Sequence, residues 1–112
     1  MDAKVVSPDR ALFEGEVVAC YARSTEGEIG ILSGHQPALL LLAPAPMELE
    51  RADGGREIFA VRSGFLEFAN DQLTVLADDA VQVDSKEEAF RIVGEKLEVP
   101  PSQIDPAAPP VA

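Results

Sequence analysis

Thr25-Glu26-Gly27-Glu28-Ile29-Gly30-Ile31-Leu32-Ser33-Gly34-His35-Gln36-Pro37 is the stretch that decides how this chain reads. It gathers three glycines, two carboxylates, the sole histidine and a proline. Glycine costs backbone entropy and packs nothing, so a strand carries it where the chain turns, bulges or meets another surface closely. Ile29, Ile31 and Leu32 supply a short apolar step between the glycines. The pattern predicts a bent strand running into a shaped loop with polar groups on display. Its plain alternative is a Gly-rich corner of a β-sandwich that meets no partner.

Outward from this stretch the chain reads as many short strands. Turn signals recur every eight to twelve residues, the spacing of an antiparallel sandwich or barrel. Strands are expected at Ala3–Ser7, Ala11–Phe13, Glu16–Arg23, Gly27–Leu32 and Met47–Ala52. A turn is expected at Glu14-Gly15, and Glu16–Arg23 is apolar enough to be buried on both faces. Ala38–Leu42 fits a helical turn or a core strand; Pro37 and Pro44 limit its length and favour the strand. Asp53-Gly54-Gly55 makes a hairpin turn into Glu57–Arg62, which Gly64 is expected to break. Phe65–Ala69 and Leu73–Ala77 form a second hairpin around Asn70-Asp71. Asp78, Asp79 and Asp84 read as turn and cap residues.

The period then changes. Asp84-Ser85-Lys86-Glu87-Glu88 offers an N-cap with a glutamate three residues on. Ala89, Phe90, Ile92, Val93 and Leu97 share one arc of a helix running from about Lys86 to Leu97. Pro100-Pro101 ends it, and the proline-rich remainder is expected to be disordered or extended. The expected organisation is a β-sandwich over 1–83, a short amphipathic helix over 84–99 and a Pro-rich tail over 100–112.

Composition bounds the function. The 112 residues support one domain, and 46% hydrophobic content supplies a core. A formal charge of −11 argues against a nucleic-acid backbone or anionic lipid and suits a basic protein partner. Cys20 has no partner for an internal disulfide and reads as a small core residue. The N-terminal Met1–Val6 holds no apolar run of signal-peptide length, and the longest apolar run, Pro37–Pro46, is too short to span a bilayer and is broken by Pro44.

Four motifs in order resemble the epsilon subunit of F-type ATP synthases, called delta in mitochondria. The stretch from Thr25 to Leu40 is similar to its EGELGI-x-PGH-x-P-LL signature, with Ile29 for the usual leucine and Ser33 where proline often stands. Val6-Ser-Pro-Asp-Arg-Ala-Leu-Phe-Glu-Gly-Glu-Val17 resembles the family's opening. Arg62-Ser63-Gly64-Phe65-Leu66-Glu67 is close to SGGFLEV, with Ser63 for the first glycine, and Leu73–Asp78 resembles VTVLAD. The resemblance covers roughly residues 3–80 and fails after about residue 84.

What the resemblance implies is a mainly β chain: a flattened antiparallel sandwich of about ten short strands, followed in the family by a helical pair. It implies a non-catalytic rotor subunit that joins the gamma subunit to the membrane proteolipid ring. Carried over, Glu28 and His35 face the polar loops of the ring, with Glu26, Gly27, Gly30, Ser33 and Gly34 shaping the surface. The implied location is peripheral, on the cytoplasmic face of a bacterial cell membrane, and no cofactor is expected. The family's ATP-binding pattern needs an arginine where Glu87 stands, and a carboxylate there repels phosphate. Five prolines in Pro100–Ala112 leave no room for a second helix, so little helix-mediated inhibition of hydrolysis is expected.

Two other function classes stay in view. A stand-alone sandwich, a ligand-binding or interaction domain that takes a small ligand or stores metal, would need a concave pocket with converging polar groups. A small enzyme would need His35 and Glu28 as acid and base. The Glu26 and Glu28 pair, sharing a strand face, reads either as a solvated face or as a carboxylate or metal site. No phosphate-cradling GxxxxGK[ST] loop is present in the sequence.

Overall fold

The computed structural model describes residues 1–96. The elements are β1 (Asp2–Val6), β2 (Ala11–Glu16), β3 (Ala19–Ser24), β4 (Gly27–Leu32), β5 (Ala38–Leu42), β6 (Ala45–Glu50), β7 (Arg56–Ala69), β8 (Gln72–Val83) and α1 (Lys86–Lys96). The expected tail over 100–112 and the last residues of the expected helix lie outside the described residues.

Eight strands are continuous, not about ten. The difference lies in β7 and β8, which are 14 and 12 residues long and each serve both layers of the sandwich. Their first and second halves have different neighbours. Residues 64–68 of β7 pair with β5, and residues 56–61 pair with β6. Residues 72–76 of β8 lie beside β1, and residues 79–83 pair only with the first half of β7 among the described residues. One layer is therefore β2-β1-β8-β7-β5 and the other β4-β3-β6-β7-β8. Pairing is antiparallel except between β1 and β8, which run parallel.

Gly64 bends β7 instead of breaking it. The register between β7 and β8 slips on both sides of Ser63, a bulge that turns the paired strands from one layer into the other. Gly64 has φ 155°, and a Cβ there would meet Leu76 O at 2.5 Å, so only glycine allows this approach. Asp78 and Asp79, expected in a turn, lie inside β8 at this bulge, and Asp79 pairs with Arg62 at 2.7 Å.

The core lies between the layers. Val5, Val17, Ile31, Leu49, Phe59, Leu66 and Val75 are completely buried in it. Each such side chain contributes about 1.5–3 kcal/mol relative to exposure. The segment from Glu16 to Arg23 is not buried on both faces. Val17 and Val18 interrupt it, and β3 then alternates, with Cys20 and Ala22 inward and Tyr21 and Arg23 outward. Glu14-Gly15 does not turn but continues β2 in register with Ala3 and Lys4.

The helix covers the outer face of the second layer. Phe59 and Val61 point into the core, so their neighbours Ile58 and Ala60 point out and meet Ala89, Ile92 and Val93. Ser85 is the N-cap, its Oγ accepting from the Glu88 amide at 3.1 Å. Arg62 reaches across, its Nη2 donating to Ile92 O at 3.3 Å. Phe90, placed by its spacing on the apolar arc, is 52% exposed, because the contact with the sheet is centred on the small residues Ala60 and Ala89.

Candidate interaction surface

The signature stretch forms one edge of the second layer. Among the described residues β4 pairs only with β3. Their hairpin closes through Thr25 and Glu26, with Ser24 opposite Gly27. Ser24 Oγ donates to Gly27 O at 2.9 Å and accepts from the Glu26 amide at 3.1 Å. Gly27 has φ 127°, a conformation that disfavours any side chain. Arg23 and Glu28 lie opposite each other and pair at 2.8 Å. Both are exposed, so the pair orients Glu28 more than it stabilises the fold. Gly30 faces Tyr21, whose ring carbons lie 3.3 Å from where a Cβ would stand. The missing side chain lets the Tyr21 ring cover the backbone of the edge strand.

At the far end of β4 the chain turns through Ser33, Gly34 and His35. The His35 amide donates to Leu32 O at 2.9 Å, and Gly34 takes φ 90°. This loop sits on the tip of the β7–β8 hairpin. Asp71 Oδ1 accepts from Ser33 Oγ at 2.8 Å and from the Gly34 amide at 3.4 Å. The Ser33 hydroxyl chiefly, helped by the Gly34 amide, holds the Asp71 carboxyl below the usual carboxylate range. The His35 ring lies edge-on to Phe68 with centroids 6.0 Å apart. Its Nδ1 lies 2.6 Å from Gln36 O, a contact that requires Nδ1 to carry a proton.

The seven residues singled out in the sequence thus do not form one cluster. Glu26, Gly27 and Glu28 stand at the hairpin tip, Gly30 in mid-strand, and Ser33, Gly34 and His35 at the opposite end. From Gly27 to Leu32 the strand makes five steps, which separate its ends by about 16 Å at 3.3 Å per residue. Glu26 lies in the turn, so it shares no strand face with Glu28, and Glu28 and His35 are too far apart to act as acid and base on one substrate. Among the described residues no group of three or more His, Cys, Asp or Glu side chains is placed to hold a metal. Two open clefts, of about 480 and 590 Å³, are lined by acidic groups such as Glu14, Glu16, Asp9 and Asp78, and neither includes His35 or Glu28.

A surface that sequence reasoning missed lies on the outer face of the first layer. Leu41 is opposite Phe65, and Phe65 is opposite Leu76. These three are 51%, 46% and 52% exposed, and Leu39, two residues along β5, is 70% exposed. Four large apolar groups on three adjacent strands make a continuous row, well beyond the scattered exposed leucines of any protein surface. A signal was present. Ala38–Leu42 is apolar throughout, and a strand with apolar residues on both faces needs a cover on each.

Residues 1–83 match the family model described as ATP synthase, Delta/Epsilon chain, beta-sandwich domain. The chain is 44% identical over 84 residues to an ATP synthase epsilon chain of Dichelobacter nodosus, covering 75% of this chain and 59% of that one. It is 36% identical over 97 residues to the epsilon chain of Streptomyces griseus, covering 82% of this chain and 78% of the relative. Its fold is similar to a chain in the Euglena gracilis mitochondrial ATP synthase OSCP/F1/c-ring assembly, with TM-score 0.68, 23% identity, and coverage of 96% of this chain and 66% of that one. A chain of the Tetrahymena thermophila mitochondrial ATP synthase central stalk and c-ring shares the fold with TM-score 0.60, 14% identity, and coverage of 86% and 88%. With residues 1–83 matched by the family's β-sandwich domain and more than a third of the residues identical to a curated epsilon chain, this chain belongs to the ATP synthase delta/epsilon family.

Proposed function

We propose that this chain is a non-catalytic central-stalk subunit of a rotary ATP synthase, joining the gamma subunit to the membrane proteolipid ring. The observation that carries the reading is the exposed row of Leu39, Leu41, Phe65 and Leu76 on a chain of this family. An apolar row of this size needs a protein partner, and the gamma subunit is the partner the reading assigns to it. Chains of similar fold come from assemblies described as OSCP/F1/c-ring and as central stalk/c-ring, which is in keeping with a place in the stalk beside the ring. The ring contact then belongs to the signature edge. Because Glu28 and His35 lie at opposite ends of β4, the contact is elongated, with Glu26, Gly27 and Glu28 at one end and Ser33, Gly34 and His35 at the other. Acidic side chains there suit the basic residues that flank membrane spans on the cytoplasmic side. The chain itself is peripheral to the membrane in this reading, on the cytoplasmic face of a bacterial cell; no helix of the described residues is long and apolar enough to cross a bilayer.

The test is coupling. Glu28→Lys alters an exposed residue of β4 and His35→Ala a half-buried loop residue at the edge of Phe68, and neither residue belongs to the core cluster. Both variants are expected to fold as the parent does, and to lower ion pumping per ATP hydrolysed in the assembled complex. Normal coupling in both variants would remove the signature edge from the contact.

Regulation follows the same reading. Glu87 stands in the first turn of α1, where the family's ATP-binding pattern places an arginine. In this reading the subunit has no specific ATP site. Titration of the isolated chain with ATP is expected to give no saturation below millimolar concentration. Saturable binding below that range would contradict it.

A further inference from the structure

The β7–β8 hairpin tip is not an isolated turn. Asn70 and Asp71 take φ 54° and 57°, the left-handed pair of a type I′ turn. Asp71 O accepts from the Asp2 amide at 3.2 Å, which ties the tip to β1 through the backbone. Its carboxylate points the other way. Oδ1 takes the Ser33 hydroxyl at 2.8 Å and the Gly34 amide at 3.4 Å, across 38 and 37 residues of sequence. Oδ2 lies 3.8 Å from the Met1 amino nitrogen. Beside this junction Phe68 of β7 supports the His35 ring. The loop's own hydrogen bonds are few: the His35 amide to Leu32 O, and the His35 ring to Gln36 O. A glycine at φ 90° in its centre leaves it free to move unless something outside holds it.

We infer that Asp71 is the positioning residue of the Ser33–His35 loop, holding it in the geometry in which it meets the partner. This rests on the reading of that loop as a contact surface. An ordered loop meets its partner without the entropic cost of being ordered at that moment. Asp71 would therefore act on assembly although it need not touch the partner itself.

Two substitutions separate this role from the turn. In Asp71→Gly the carboxylate is lost, but Asn followed by Gly is the pair a type I′ turn most favours, so the hairpin is kept or strengthened. In Asp71→Asn an oxygen acceptor remains at the same place, and asparagine tolerates the left-handed conformation. The first measurement is amide exchange in the isolated full chain. Asp71→Gly is expected to raise exchange at Gly34 and His35 by about tenfold or more, with β7 and β8 unchanged, while Asp71→Asn stays near the parent. The second is the affinity of each variant for ATP synthase stripped of this subunit, expected to fall for Asp71→Gly and to be restored in Asp71→Asn. Unchanged exchange in Asp71→Gly would overturn the positioning role. Raised exchange with unchanged affinity would leave Asp71 as the holder of the loop but overturn its part in assembly, whereas the contact itself stands or falls on the coupling of His35→Ala.

Discussion

At the scale of single residues, glycines set the bend between the layers and the shape of the sheet edge. Gly64 admits the close approach of β8, Gly27 turns the hairpin, and Gly30 lets Tyr21 lie over the edge strand. Sequence reading found these glycines unusual and was right to expect turns and close approach. It could not tell that Gly64 bends a continuous strand, because a bulge and a break have the same local composition. Cys20 behaves as the core residue it resembled. Burial pushes its thiol up to about 12 from a usual value of 9.0. The sign follows directly. Between these values the unfolded chain ionises Cys20 and the folded chain does not, so stability is full below about pH 9 and declines as pH rises towards 12. Urea denaturation of the parent and of Cys20→Ala at pH 8 and pH 10.5 checks this. The parent is expected to lose more stability over that interval than the variant, and equal losses would show that Cys20 is ionised or exposed in the fold.

The elements show where pattern reading succeeds and where it stops. The hairpin at Asp53-Gly54-Gly55 and the helix start at Ser85 were legible because each depends on a few adjacent residues. Lengths were not. β8 continues through Asp78 and Asp79 because Arg62, sixteen and seventeen residues earlier in sequence, supplies Asp79 with a partner. Helix α1 was legible by its period, yet its contact with the sheet is small, and Phe90 remains half exposed. The helix is held by Ala89 and Val93 on Ala60, and by the clasp from Arg62 to Asp79 and Ile92 O. An isolated helix of 11 residues is marginal in water, so these contacts decide whether it stays docked. Arg62→Met keeps the aliphatic stem and removes the clasp. It is expected to raise amide exchange throughout α1 while leaving β3 and β4 protected. A chain ending at Asp84 is expected to keep cooperative unfolding and a β-type circular dichroism spectrum, since the core cluster contains no helix residue. A disordered truncated chain would contradict this element-by-element account.

For the molecule as a whole, the layered fold explains both the missed surface and the divided site. The residues of the signature stretch are neighbours in sequence, yet they do not meet as one cluster in the fold. A strand separates neighbours steadily, and β4 carries its two ends about 16 Å apart. The apolar row was missed for the opposite reason. Leu41, Phe65 and Leu76 are far apart in sequence and meet only through the registers of β5, β7 and β8. With the helix over one layer, the outer face of the other layer carries the row, the surface proposed to dock on the gamma subunit. The direct test is rebinding of purified subunit to ATP synthase stripped of it, comparing the parent with Phe65→Asp. Phe65 is exposed, so the substitution leaves the core intact and places a charge in the middle of the row. The account predicts that the parent rebinds and restores ATP-driven ion pumping, while Phe65→Asp, folded by circular dichroism, loses affinity by about 30-fold or more, the cost of about 2 kcal/mol or more expected for a hot-spot residue. Rebinding of Phe65→Asp with the parent's affinity would contradict it.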